Sequence, residues 1–316
     1  MVLNAFKKTA MAVVLTVLAA MSTGGQMPPK AYARLLFAGD ILLSRNADVD
    51  LKQRIGSPWR KSFQELFQKA DWVGGNLEGA IGDPKDCIKT QRICLATPAT
   101  GAQVLATAGF RAVTIENNHT QDVGDQGREQ SRQTFRKVGL SAVDFDTSPQ
   151  FVQLNNIEIA LIAVNLVRAA DGRRQQIPSA ELQNKLRLAK SRADAVIVSI
   201  HWGNEMMQFP SPAQREQAAW LIKNGADLVL GHHPHVIQAP QCVAGRPVFF
   251  SLGNFVFDQP DPKTKEGLIA DCFVGNGQLK CRALRTQTKP GRTCRISCDQ
   301  TLPTVLRCLL VVRRSQ

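Results

Sequence analysis

All five histidines of this 316-residue chain stand in three short clusters. His119 ends Ala112-Val113-Thr114-Ile115-Glu116-Asn117-Asn118-His119, and His201 follows Ala195-Val196-Ile197-Val198-Ser199-Ile200. His232, His233 and His235 come after Ala226-Asp227-Leu228-Val229-Leu230-Gly231. Each cluster follows an apolar run that reads as a buried strand. Imidazoles gathered at strand ends are material for a metal or acid–base site, since imidazole both ligates divalent ions and titrates near neutrality. Asp40, Asn76, Glu78, Asn117, Asn118 and Glu205 also sit at or just past the ends of such runs. Carboxylate, amide oxygen and imidazole without cysteine favour Mn, Fe or Zn, one ion or two, over a thiolate site. Two ions ~4 Å apart could clamp a phosphate, activate water and stabilise an in-line transition state. A histidine left off the metal, His119 foremost, could protonate the leaving oxygen. Taken singly, each residue has a plainer role: Asp40 a helix cap, Glu78 and Glu205 ion pairs with lysine or arginine, His232 a packed histidine. Their convergence argues for the metal site.

The elements that must position these groups alternate between strand and helix from residue 34 to 259. Arg34–Asp40 reads as a strand, Ser57-Pro58 as a helix start with Ser as N-cap, and Trp59, Phe63, Leu66, Phe67 and Ala70 as that helix's buried stripe. Asp71–Gly75 is the next strand, running into Asn76-Leu77-Glu78. Thr97-Pro98 opens a helix stopping at Gly109, a polar helix spans about Asp125 to Gly139, and Ser211-Pro212 opens another that closes at Gly225. Phe151–Leu154 and Ile157–Val164 form a hairpin. Apolar strands without clean alternation, joined by helices, imply an α/β fold with a sheet covered on both faces and ligands beyond the carboxyl ends of its strands.

Composition places the chain among ordinary globular proteins, with 44% hydrophobic and 21% charged residues. Residues 1–33 stand apart: Lys7 and Lys8 precede the apolar run Ala10–Met21, a Ser/Gly/Pro-rich stretch follows, and Ala31-Tyr32-Ala33 has the small-x-small form of a cleavage site. This predicts an exported protein, periplasmic, extracellular or anchored at the outer face of the cytoplasmic membrane, with the segment either a cleaved signal peptide or a retained membrane anchor. Export allows the eight cysteines to form disulfides. Asn276-Gly277 is a type I′ hairpin signal, and counting outward from it sets Cys272 opposite Cys281, within disulfide reach. Cys87 and Cys94 bracket one short polar loop and are a second pair, while Cys294 and Cys298 are left open between bridges, metal and free thiols.

The net charge of +13 is a property of the ends, with +3 in residues 1–33, +8 in residues 280–316 and +2 between them. Without interleaved aromatics, the basic end makes nucleic acid an unexpected partner, and leaves a polyanion, an anionic membrane surface or solvent facing it.

Gly39-Asp40, Asn76-Leu77-Glu78, Asn117-Asn118-His119, His201-Trp202-Gly203-Asn204-Glu205, Gly231-His232-His233-Pro234-His235-Val236 and Ser251-Leu252-Gly253-Asn254-Phe255 together resemble the capsule-synthesis protein CapA family, in order and from about Arg34 to Gln259. That poly-γ-glutamate biosynthesis family belongs to the calcineurin-like metallophosphoesterase superfamily. The resemblance implies a four-layer α-β-β-α metallophosphoesterase-like sandwich. It divides the chain into an N-terminal segment over 1–33, a CapA-type domain over 34–270 and a Cys/Arg-rich hairpin and basic tail over 271–316. It also implies a part in making or exporting an anionic capsule or poly-γ-glutamate-type polymer, with a capsule synthase or export complex and a phosphate-containing envelope substrate as partners. By the same resemblance Asp40, Glu78, Asn118 and His201 hold metal with one or two of His232, His233 and His235, of which His233 and His235 are taken as ligands. Asn76, Asn117, Glu205, His232 and Asn254 then support the ligands or the substrate, and His119 matches the superfamily's catalytic histidine. The superfamily begins with Asp-x-His, whereas Asp40-Ile41-Leu42 places leucine at the histidine position. Residues 280–316 depart from the family, leaving an added disulfide-stabilised edge, a polyanion-binding extension, a disordered tail or a shifted reading frame. Two functional classes stand: a metal-dependent hydrolase, favoured by His119, and a non-catalytic metal-stabilised assembly subunit, favoured by Leu42 and the basic end.

Overall fold

A computed structural model describes residues 32–44, 58–88, 93–124, 126–288 and 294–297. The signal or anchor expected over 1–33 (except Tyr32 and Ala33), the N-cap at Ser57, the side chains of Trp59, Cys294 and Cys298, and the basic tail past residue 297 lie outside the described residues. No helix of the described residues is long and apolar enough to cross a membrane.

Strand β1 (Ala33–Ile41) carries Leu35 and Phe37 on one face and Leu36 and Ala38 on the other, all buried, which is why it reads as a continuous apolar run. Helix α1 (Pro58–Gln68) leads to β2 (Trp72–Leu77), and the two-residue strands β3 (Ala80–Ile81) and β4 (Ala96–Thr97) pair with each other. Helix α2 (Thr100–Ala108) begins two residues later than Thr97-Pro98 predicts. The cause is a tertiary hydrogen bond: Gly82 N–H donates to Thr97 O at 2.9 Å and keeps Thr97 extended. Gly109 ends the helix at φ 103, the left-handed conformation that glycine adopts freely.

Next come β5 (Ala112–Thr114), α3 (Gln126–Lys137), β6 (Ser141–Val143), and the hairpin of β7 (Gln150–Leu154) and β8 (Ile157–Asn165). Helix α4 (Ala180–Arg192) was missed by the sequence reading, although Ser179 caps Leu182 N–H and Leu182, Leu186 and Ala189 give it a buried stripe. Strand β9 (Ala195–His201) precedes α5 (Pro212–Lys223), where Ser211 and Gln214 form a capping box. The chain continues through β10 (Leu228–His232), β11 (Ile237–Gln238), β12 (Gln241–Val243), β13 (Arg246–Phe249), β14 (Ser251–Leu252) and β15 (Asn254–Val256). The last described elements are β16 (Glu266–Gly275), β17 (Gln278–Thr288) and β18 (Cys294–Ser297).

These strands build two main sheets, not one. The first has the order β18-β17-β16-β1-β2-β5-β6, with β15 also pairing to β1, and the second runs β12-β13-β10-β9-β8-β7. Leu35, Phe37, Ile159, Leu161, Ile197, Leu230 and Leu268 fill the space between them. The outer face of the first sheet is covered by Phe63, Phe67, Leu105 and Phe135 of α1–α3, and that of the second by Leu182, Leu186, Ala218 and Leu221 of α4 and α5. The result is the four-layer α-β-β-α sandwich. A single two-faced sheet is the wrong count because a strand buried against another sheet and one buried against helices are equally apolar in sequence.

The C-terminal hairpin forms as its turn predicts: Asn276 and Gly277 both have positive φ (51 and 67), Cys272 lies opposite Cys281, and the two are disulfide-bonded. Cys87–Cys94 is bonded too, and Cys242 is in a disulfide. A division between residues 270 and 271 falls inside β16, which pairs with β1 from Ala33↔Val274 to Ala38↔Ile269. Residues 271–288 therefore belong to the main sheet, where buried Asp271 accepts from Arg34 Nε at 2.8 Å and Arg282 Nε at 2.7 Å.

Beside Asp40, β1 passes so close to the 251–254 segment that a Cβ at Gly39 would overlap Gly253 O, the acceptor of Asp40 N–H at 2.9 Å. Gly39→Ala is expected to cost about 1–3 kcal/mol through overpacking, read as a lower urea midpoint at unchanged slope.

Candidate metal centre

The parallel strands of both sheets end on the same side, and there their polar residues meet. Asp40 lies near the end of β1, Asn76 in β2 with Glu78 just after it, Asn117, Asn118 and His119 past β5, His201 at the end of β9, and His232 at the end of β10. Asp40 is fully buried. Its Oδ1 is 2.8 Å from His232 Nδ1 and accepts from Asn76 Nδ2 at 3.0 Å. Its Oδ2 accepts from His233 N–H at 3.2 Å and lies 3.3 Å from His235 Nδ1. Burial alone would raise this carboxyl, but the His232 and His235 contacts outweigh it and hold Asp40 well below the usual carboxylate range.

Glu78 is as deeply buried, yet neither of its carboxylate oxygens has a hydrogen-bond partner. Burial pushes it up to about 7 against the opposing pull of His235. His235 Nε2 stands 3.4 Å from Glu78 Oε1, and His201 Nε2 stands 3.6 Å from the same oxygen. Nδ1 of His201 and Nδ1 of His233 are also buried without partners. Burial, then the neighbouring His233, holds His201 well below its ordinary value; burial, then His235, lowers His233 to about 4. His235 moves the other way: burial opposes its charge, but Glu78 and Asp40 raise it to about 9.

Two sets of ligand atoms lie mutually within 4.8 Å, Asp40 with Glu78 and His201, and Glu78 with His233 and His235. A naked buried carboxylate costs several kcal/mol unless a cation or donor meets it. Orphaned Glu78 oxygens beside the His201, His233 and His235 imidazoles therefore fit a divalent cation, which would take the place of the proton on His235.

The remaining predicted residues fall around this core. Asn118 Oδ1 is 2.8 Å from His201 Nε2, so it meets the site through that ring. Asn117 donates to Leu77 O at 2.8 Å and accepts from His119 N–H at 3.1 Å, tying the β2 and β5 ends together. Asn254 Oδ1 lies 3.0 Å from His235 Nδ1, while its amide nitrogen donates to Gln259 Oε1 and Thr264 O. Glu205 is exposed and reaches the cluster through its charge, which raises both Glu78 and His235. Leu42 contributes no ligand and packs with Leu95 and Phe257.

Sequence reasoning missed Asp122, whose Oδ2 is 2.8 Å from His119 Nδ1. Burial opposes protonation of His119, but the Asp122 contact and the charge of Glu78 raise it overall. The only signal was spacing: Asp122 follows His119 by three residues, one turn of the tight 117–124 segment.

A cation entering between Glu78 and His235 must displace a proton. In the metal-free protein, His235 contributes stability that is full below its ordinary 6.5 and lost as pH rises through about 9. The Tm increase produced by Mn²⁺ is therefore expected to grow across that window, and Glu78→Gln to abolish it, as differential scanning calorimetry with and without Mn²⁺ will show.

The family described as bacterial capsule synthesis protein PGA_cap matches residues 34–259. The chain is 29% identical to the PGA biosynthesis protein CapA of Bacillus subtilis over 77% of its own length and 69% of that protein's. It is 28% identical to the capsule biosynthesis protein CapA of Bacillus anthracis over 74% and 62%. In fold it is similar to a solved structure described as a novel phosphatase from Mycoplasma pneumoniae, with a TM-score of 0.51 at 14% identity over 80% of this chain and 93% of that one. With its matching span running from β1 to past β15, the chain belongs to the PGA_cap capsule synthesis family.

Proposed function

We propose that this protein is an exported, metal-dependent phosphoesterase-like hydrolase that serves the synthesis or export of an anionic capsule or poly-γ-glutamate-type polymer. The observation that carries this reading is Glu78, a buried carboxylate without a hydrogen bond, shared by two overlapping ligand sets next to the His119–Asp122 pair. One or two divalent ions, Mn, Fe or Zn, would be held by Asp40, Glu78, His201, His233 and His235, with Asn118 beside them. A cation held by these residues would supply charge neutralisation at a phosphate oxygen and a lowered pKa for water.

The chain's own groups supply the rest. Asp40, pinned as an anion by its hydrogen bonds, fixes the His232–His235 loop. Asn254 orients the His235 ring through Nδ1, leaving Nε2 toward Glu78. His119, held at Nδ1 by Asp122, keeps Nε2 for a proton that it gives to the leaving oxygen. The substrate is a phosphate-containing envelope compound or the anionic polymer itself, reached within a capsule synthase or export complex. The N-terminal apolar segment directs export and, if uncleaved, anchors the domain at the outer face of the cytoplasmic membrane.

Leu42 supports a second reading, in which the metal stabilises a binding or assembly subunit without turnover, because a buried leucine replaces an imidazole ligand. Metal analysis joined to Mn²⁺-dependent hydrolysis of bis-p-nitrophenyl phosphate separates the two. The hydrolase reading expects His119→Ala to lower kcat by about 10²–10⁴-fold with metal content unchanged. Metal-loaded wild type no faster than His119→Ala would sink it and leave the assembly role.

A further inference from the structure

Asp122 is completely buried, and what holds it is a loop closed by a disulfide. Its Oδ2, the atom facing His119 Nδ1, also accepts from Leu95 N–H at 2.7 Å. Its backbone oxygen accepts from Ile88 N–H at 3.0 Å, and Cys94 Sγ sits 3.7 Å from that oxygen. Ile88 follows Cys87, and Leu95 follows Cys94. The Cys87–Cys94 bridge thus joins the two backbone donors that fix Asp122 from either side.

Among the described residues of this loop, Leu95 is buried against Leu42 and Phe257, β3 and β4 pair over two residues each, and the half-buried cysteines pack on a small cluster of Ala80, Ala96 and Val123. Leu95 O in turn accepts from Ala80 N–H at 3.2 Å, two residues beyond Glu78. Of the described residues, the half-buried Ile88 side is held least by apolar packing, and the disulfide ties it to the buried Leu95 side.

We propose that the Cys87–Cys94 disulfide is a positioning element for His119, locking the Ile88 and Leu95 donors onto Asp122 and so setting the orientation of the imidazole. The proposal rests on the reading of His119 as proton donor. Reduction by a dithiol breaks the S–S bond, delivers two electrons and two protons to yield two cysteine thiols, and converts the reductant to its own disulfide. His119 then loses its fixed orientation while the metal ligands keep theirs.

The test is the Cys87→Ser/Cys94→Ser double variant of the full chain, in wild-type and His119→Ala backgrounds, with Mn²⁺ bound. Kinetics on bis-p-nitrophenyl phosphate are expected to show kcat lower by about ten- to a hundredfold, with KM and metal content unchanged. No further loss is expected in the His119→Ala background, and hydrogen exchange should quicken at the Ile88 and Leu95 amides. Equal loss in both backgrounds, loss of metal, or unaltered kcat and exchange would overturn the proposal. Should the wild type hydrolyse no ester, histidine-selective NMR decides it alone. The Asp122-bonded Nδ1–H signal of His119 is expected in the oxidised protein and absent from the double variant, and its persistence there overturns the proposal.

Discussion

The carboxylate of Asp40 is the point on which the two sheets close. β1 lies inside the first sheet, hydrogen-bonded to β16, β2 and β15, whereas His232, His233 and His235 extend from β10 of the second. A buried carboxylate is costly unless every lone pair is met, and Asp40 is met from both sheets, by Asn76 on one side and by the histidine loop on the other. That loop bends sharply, with His233 at φ 93 and His235 at φ 59. Such backbone costs about 1–3 kcal/mol per residue and persists only where its surroundings over-determine it. Asp40, Asn254 and the bridge from Gly253 to Gly267 supply that constraint.

Two buried carboxylates within one cluster behave oppositely, and the difference is one of partners. Asp40 has hydrogen-bond donors and stays ionised well below the usual range; Glu78 has none and is raised to about 7. Environments that push neighbouring titratable groups apart in this way assign them different work. Asp40 serves as scaffold, while Glu78 is the buried carboxylate left without a hydrogen-bond partner. His235 between them is raised to about 9, the proton being the positive charge nearest to hand.

Membership of the PGA_cap family accounts for residues 34–259, but the sheet that carries Asp40 does not stop there. β16 and β17, beyond the match, lie along the far side of β1, and their disulfide faces the space between the sheets. From Ala33 to Ala38, β1 is therefore flanked on one side by β2, inside the match, and on the other by β16, outside it, while Asp40 itself pairs with Asn76 and Asn254, both inside it.

Much of this was legible in the chain itself. Strand ends at Asp40, Glu78, His119, His201 and His232 follow from apolar runs, the Cys272–Cys281 bridge from the I′ turn, and the ligand chemistry from residue type, because these depend on neighbours in sequence. Two sheets in place of one, Thr97 held extended by Gly82, and the placing of Asn118 against His201 depend on residues far away along the chain. So does the division of roles among like groups: Asp40 and Glu78 are both acids after strands, and nothing local says which will find donors. Asp122 is the sharpest case, an ordinary aspartate in sequence whose position under His119 exists only once the 87–95 loop folds over it. Residue types and periods determined which carboxylates, amides and imidazoles would gather and at which strand ends. Tertiary packing decided which atoms inside it are satisfied and which are left open, since burial and hydrogen bonding at a distance set the charge of every group there.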